Sequence, residues 1–216
     1  AAVTAAAGKQ LVFPAGQYKI TSAINITSGL SIIGEQTRTS ILLGTANQNG
    51  FVIGDGTLTT RGATGDTSIR YLSFIVAPGV GTSTSGACIS LNYVYDIIID
   101  WCVFYGADGG VITRLFDAVN AIRATECVMV NCVATRMGGS LHTSLGTGMA
   151  SDRNIDWRVD NCKAISCTGD NVYFGPFSEG NTINQLIAYQ FPGYAIRINT
   201  SLWNFFINQP DIECQA

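Results

Sequence analysis

Charge, histidine and helix-period patterning are all scarce in this chain of 216 residues. Asp, Glu, Lys and Arg together make up 12 % of it, and His142 is the only histidine. So few charges argue against a helical bundle, whose solvent faces carry Glu and Lys. They suit a β-protein that covers itself with Ser, Thr, Asn and Gly. A net charge of −3 offers no basic stripe, so nucleic acid is not an expected partner. No apolar run reaches membrane-spanning length, since "YVYDIIIDWCVFYG" is interrupted by Asp96 and Asp100. The opening "AAVTAAAGK" does not read as a secretory leader, and the chain closes on "QPDIECQA" inside a strand-like run. Both ends are expected to be cuts within a longer protein.

What is present in quantity is short β-rich runs. "LVFPA", "YKIT", "AINIT", "LSIIGE", "SILLG" and "GFVIG" follow one another within residues 11–54, then "IRYLSFIVA", "ACISL" and "DIIIDWCVF". Each alternates or forms a brief apolar run bounded by Gly, Asn, Asp or Ser, the signature of strands. The one internal segment with helical spacing is "TRLFDAVNAI". Two-residue hairpin signals are missing between the strands, so each strand needs a partner elsewhere in the chain.

An internal repeat supplies that partner. "IIIDWCVFYGADGGVI", "TECVMVNCVATRMGGSL" and "WRVDNCKAISCTGDNVYF" align on Cys102, Cys132 and Cys162, thirty residues apart each time. Lys163 belongs outside, so the flanking Cys162 and Ala164 belong inside. Asn131 and Asn161 precede two of the anchors, where an inward-turned amide is expected to bond backbone across a tight corner; Trp101 breaks the pattern. A few short strands per repeat of about 25 to 30 residues, with no crossover helix, define a solenoid. About eight coils and a rod about 40 Å tall follow from a strand spacing of about 4.8 Å. Crossover chirality favours a right-handed coil. The expected class is therefore an all-β, right-handed parallel β-helix, one domain over residues 1–216, with residues 9–216 as coils.

The seven cysteines are an odd number and sit in the repeat as core filler, so free thiols and synthesis in a reducing cytoplasm are expected. Cys127-x4-Cys132 and Cys162-x4-Cys167 lack the tight spacing of zinc knuckles, so no metal and no cofactor are expected. "GVGTSTSG" lacks the Lys and the following helix of a phosphate loop and reads as a flexible excursion.

One face of a parallel sheet presents side chains one coil step apart, a groove for a linear sugar chain. If Ile112, Leu141, Val172 and Ile196 face inward, then Thr113, His142, Tyr173 and Arg197 line up outside. His142 or Tyr173 then serves as a base and Arg197 neutralises a uronic acid, as a lyase requires. A hydrolase needs two carboxylates, for which Asp152, Asp156 and Asp170 are candidates, with Asp117 nearby. Catalytic candidates are thus Asp170, His142, Asp152 and Asp156; sugar-binding candidates are Tyr173, Arg197, Thr113 and Arg153. "TSLGTGMASDRN" is expected to border the substrate.

The first 45 residues carry a resemblance. Val12-Phe13-Pro14-Ala15-Gly16-Gln17-Tyr18 and Leu30-Ser31-Ile32-Ile33-Gly34-Glu35 resemble the start of the pectate-lyase-like right-handed β-helix proteins, notably of bacteriophage tailspike type. The resemblance implies an N-terminal capping helix, ending here within residues 1–8, and a homotrimer. It also implies a virion-tail protein, made in the host cytoplasm, that binds and depolymerises a bacterial surface polysaccharide as a glycosidase or lyase. A non-enzymatic adhesive rod and a free-standing secreted lyase or galacturonase are the alternatives. The Asn-Thr-Asp, Asp-Asp and Gly-His-Gly runs of galacturonases do not occur, so no catalytic residue transfers from the family.

Overall fold

The computed structural model describes residues 9–35, 38–54, 56, 66–106, 116–145, 154–190, 192–199 and 204–213. The region expected to hold the capping helix, residues 1–8, lies outside them. Within them the protein is a parallel β-helix. Three sheets run its length, and every strand pairs in parallel with its counterparts in neighbouring coils. The first sheet has eight strands, from Gln10–Val12 to Phe206–Asn208, and the second has eight, from Gly16–Ile20 to Asp211–Glu213. The third begins at Ile24–Ile26, ends at Ile196–Ile198, and includes the long strands Ala87–Tyr95 and Asp117–Thr125. Eight coils at about 4.8 Å per step span roughly 35 Å.

Coil length is read from the first-sheet register, where Gln10 pairs Ser31, Ser31 pairs Ser68, Ser68 pairs Ile98, and so on to Phe206. Subtracting partners gives 21, 37, 30, 30, 30, 24 and 24 residues. The thirty-residue period visible in the cysteines therefore belongs to three coils. The last two are shorter because His142 to Ile155 takes fourteen residues where Val172 to Glu179 takes eight. The segment "TRLFDAVNAI", which has helical spacing, is strand from Asp117 onward. Seven residues of Asp117–Thr125 pair with Ala87–Tyr95, and those tertiary bonds outweigh a weak local preference.

The core is one long cluster along the axis, with Ala188 and Ala195 forming a small separate one. Ile41, Phe74, Phe104, Ala134, Ala164 and Ala188 share one register column on the second sheet. Phe74 and Phe104 stack at 5.3 Å with an interplanar angle of 14°, and Phe51 meets Phe74 edge-on at 5.3 Å. Where the column narrows to alanine, Met129, Met137, Trp157 and Phe174 join the core. Trp157 also donates its indole N–H to the Ala124 carbonyl at 3.2 Å.

The cysteine column forms as the sequence requires. Cys102, Cys132 and Cys162 are fully buried, while Lys163 is exposed. Each sulfur lies against two carbonyls, one two residues back and one in the preceding coil; for Cys132 these are Val130 at 3.2 Å and Ile99 at 3.7 Å. All six cysteines among the described residues are free thiols. Burial pushes Cys167 up to about 11 and Cys127 up to about 12, and raises Cys88 and Cys132 as well.

Asn131 and Asn161 depart from the expected corner geometry. Rather than turning inward to backbone, they bond each other: Asn161 Nδ2 donates to Asn131 Oδ1 at 2.7 Å, and Asn131 Nδ2 donates to Asp100 Oδ1 at 3.1 Å. Both have positive φ, which aims their amides along the rod axis toward the neighbouring coil.

Two outcomes follow. Phe104→Ala should lower stability by about 3–5 kcal/mol, read from the denaturant midpoint, because the stacked ring has no mobile neighbour to fill its place. A thiolate-directed reagent at pH 8 should label no more than one cysteine per native chain, Cys214 being outside the described residues, and all seven after unfolding.

Candidate functional site

Register decides which side chains share the outer face of the third sheet. Ser90 pairs Asn120, Asn120 pairs Thr143, Thr143 pairs Tyr173, and Tyr173 pairs Arg197. Tyr173 and Arg197 therefore stand in one row, as expected. His142 does not join them: its register partners are Val119 and Val172, both fully buried, and Thr143 takes the place beside Tyr173. The alternation starts one residue later than its polarity suggests, because Asn171 is buried as completely as Val172 after it. Asn120 takes the place assigned to Thr113. Thr113, Asp152 and Arg153 lie outside the described residues, as does 146–153 of the expected substrate-bordering loop.

The far end of the row is a compact cluster. The Arg197 guanidinium lies 5.4 Å from the Tyr173 ring centre and 5.7 Å from that of Tyr194. Asp170, in the turn before the strand Val172–Phe174, accepts from Arg197 Nη1 at 3.3 Å and from the Tyr194 backbone N–H at 3.0 Å. Asn199 Nδ2 donates to the Tyr173 hydroxyl at 3.4 Å. Tyr194 is 62 % exposed, leaving its ring available as a platform. Tyr194 and Asn199 escaped the sequence reading because both lie in coil-end segments whose approach to the Asp170–Tyr173 turn and strand depends on the shorter last coils.

Among the described residues, Asp170 is partnered by Arg197 and the Tyr194 N–H rather than by a second acid. The next residue, Asn171, is buried with both amide atoms unpartnered, so a carboxylate there would sit inside the core. The cluster can bind and orient a sugar, with Arg197 already offset by Asp170.

Farther along the row a polar cavity of about 300 Å³ opens between Asn47, Asn49, Ser85, Ser90 and Asn120. The segment expected to be a flexible excursion forms its wall. Asn47 Oδ1 accepts from the backbone N–H groups of Thr84 at 2.8 Å and Ser85 at 3.2 Å, while Ser83 Oγ accepts from Asn47 N–H at 3.0 Å. Asp117 is 4 % exposed and accepts from the Ser140 N–H at 2.8 Å and from Asn120 Nδ2 at 3.4 Å, so it braces the wall.

Acids gather elsewhere, at the corner where the third sheet passes into the first. Asp66, Asp96, Glu126 and Asp156 stack there one coil apart, all with positive φ. Asp96 and Glu126 donate their backbone N–H groups to Thr125 and Ile155 of the next coil. Asp66, Asp96 and Glu126 line a cavity of about 330 Å³ together with Arg70. Asp156, one of the four catalytic candidates, thus has acidic neighbours on its own column, away from Asp170 and His142 at the third sheet; Asp152 lies outside the described residues. The column was discoverable in the sequence: its members are thirty residues apart, the same step that links the cysteines. Among the described residues no set of three His, Cys, Asp or Glu is arranged to hold a metal ion.

No family model matches the chain, and no curated protein matches it in sequence. Solved structures do. A candidate glycosyl hydrolase from Parabacteroides merdae superposes with a TM-score of 0.55 at 10 % identity, over 94 % of this chain and 82 % of the other. The catalytic domain of a GH87 α-1,3-glucanase in complex with nigerose gives 0.51 at 16 % identity, over 89 % of this chain and 34 % of that one. The ORF18 protein of Geobacillus virus E2 gives 0.49 at 18 % identity, over 95 % and 53 %. At these identities the likeness is one of fold, shared with the Parabacteroides protein and the glucanase domain, and the chain spans about a third of that glucanase chain's length.

Asp170→Ala should release the Tyr194 segment. Amide exchange at Tyr194 should rise at least about tenfold, with the cooperative unfolding midpoint nearly unchanged, because the bond lost belongs to a surface turn.

Proposed function

We propose that this protein is the β-helix of a tailspike-type attachment protein that binds a bacterial surface polysaccharide along the third sheet and cleaves it hydrolytically. The observation that carries the reading is the row of Ser90, Asn120, Tyr173 and Arg197, continuous through the Thr143 register position and ending on the exposed Tyr194 ring. It combines hydroxyls and amides for sugar hydroxyls with aromatic faces for sugar C–H surfaces. Its charge is nearly balanced, since Arg197 is paired with Asp170. That favours a neutral glycan over a uronic acid polymer.

Hydrolysis fits this surface better than elimination. A lyase needs a base beside an unpaired cation; the register keeps His142 out of the row, and Tyr173 stands beside an Arg197 already paired with Asp170. Hydrolysis needs two carboxyl groups roughly 5 to 9 Å apart. The acid corner offers Asp156 with Glu126 one coil away, a backbone step of about 4.8 Å. The fold is also one on which a candidate glycosyl hydrolase and a nigerose-bound glucanase are built. A homotrimer of such rods, with sugar grooves within or between subunits, is part of the proposal.

A non-enzymatic adhesive rod is the second reading. Both Asp170 oxygens are engaged and Asn171 is buried, so the Tyr173–Arg197 cluster by itself is built for holding rather than cutting.

Purified bacterial capsular and O-antigen polysaccharides, incubated with the protein and sized, test both. Shortened chains with new reducing ends and no ultraviolet-absorbing unsaturated sugar are expected. Tyr173→Ala should weaken binding about tenfold, and Glu126→Gln should slow cleavage while binding persists. Binding without shortening selects the adhesive reading, and neither binding nor shortening across the panel removes both.

A further inference from the structure

At the corner between the first and second sheets, which the third sheet does not border, one residue per coil turns the chain. From one coil to the next these are Tyr71, Trp101, Asn131, Asn161, Gln185 and Gln209, with φ between 47° and 58°. Short amide side chains suit this left-handed backbone because they bond locally, and bulky rings do not. Asn131 and Asn161 use it accordingly, passing hydrogen bonds along the axis to Asp100. One coil farther the ladder stops. Trp101 stands where an Asn would have extended it, in an unfavourable backbone region and with 54 % of its surface in water.

An indole placed so loses on both backbone conformation and hydration relative to Asn. It stands outside the core, which is closed beneath it by Cys102. Its surroundings suit a pyranose ring. Tyr105, 37 % exposed, lies at the other end of the following strand Val103–Tyr105, and Tyr71 occupies the same corner one coil earlier. Asp100 next to it presents a carboxylate acceptor, and the Asn131 and Asn161 amides continue along the axis with donors and acceptors. A flat apolar face flanked by fixed polar groups is what a sugar with one C–H face and equatorial hydroxyls requires.

We propose that Trp101, with Asp100 and the amides of Asn131 and Asn161, forms a second glycan-binding site for uncharged hexose units, separate from the third-sheet row. The proposal rests on the polysaccharide reading above and adds a second contact with the same class of polymer. Two sites on one rod, repeated on neighbouring polysaccharide strands, convert weak single contacts into retention on a cell surface.

Trp101→Asn separates this role from a structural one. It should extend the amide ladder and raise the melting temperature by about 2 °C, while weakening retention on an array of purified bacterial capsular and O-antigen polysaccharides about tenfold. In the unmodified protein, saturation with the best array polysaccharide should shield indole fluorescence from acrylamide, and the shielding should vanish in the variant. Retention unchanged in Trp101→Asn, or quenching unchanged on saturation, overturns the second site. If Tyr173→Ala loses binding while Trp101→Asn keeps it, the third-sheet reading survives and this inference alone falls. If the unmodified protein binds nothing on the array, both fall together.

Discussion

Everything in this molecule depends on one constraint: each coil must bring its backbone back to the same place one strand spacing along the axis. The inter-coil hydrogen bonds demand it. Ile98 faces Ser68 on one side and Val128 on the other, and Val128 in turn faces Arg158. Chain length between these points is free to vary, from 21 to 37 residues, provided the surplus is ejected between strands. Variation therefore gathers in loops and uniformity in strands, and side chains line up in columns whether or not they are neighbours in sequence.

Columns explain why unlike features share one geometry. Inside, a column of sulfurs fills a narrow corner because a thiol is small, apolar and able to rest against two carbonyls. Outside, the left-handed corner positions collect polar residues that tolerate that backbone. Amides placed there bond one another, carboxylates form an acidic strip, and a ring is left standing in solvent. The same backbone requirement thus produces structural ladders and surface chemistry, and residue identity decides which.

The rod could be read from the sequence because strands recur without hairpin signals and the cysteines keep a thirty-residue step. The placement of Lys163 outside and Cys162 inside followed from simple alternation. The outer row of the third sheet was harder. Tyr173 and Arg197 came out together, but the place beside Tyr173 belongs to Thr143. The reason is Asn171, a polar residue buried without partners, which no rule of polarity would put inside. The acid corner was missed for another reason: Asp66, Asp96, Glu126 and Asp156 have different local contexts, and only the period already found for cysteine would have joined them. Tyr194 reaches Asp170 and Arg197, and Asn199 reaches Tyr173, in the shorter last coils, whose change of length composition does not announce.

Coupling between layers carries order from one coil to the next. Ile207 and Ile212 stand in register with the buried Ile183 and Ala188. A solenoid is held by nearest-neighbour coupling, so disorder enters at its ends and propagates inward one layer at a time. Tyr194 and Arg197 belong to the segment just before the strands Phe206–Asn208 and Asp211–Glu213, so the hold of Arg197 on Asp170 is tied to how firmly those strands pair with the coil before them.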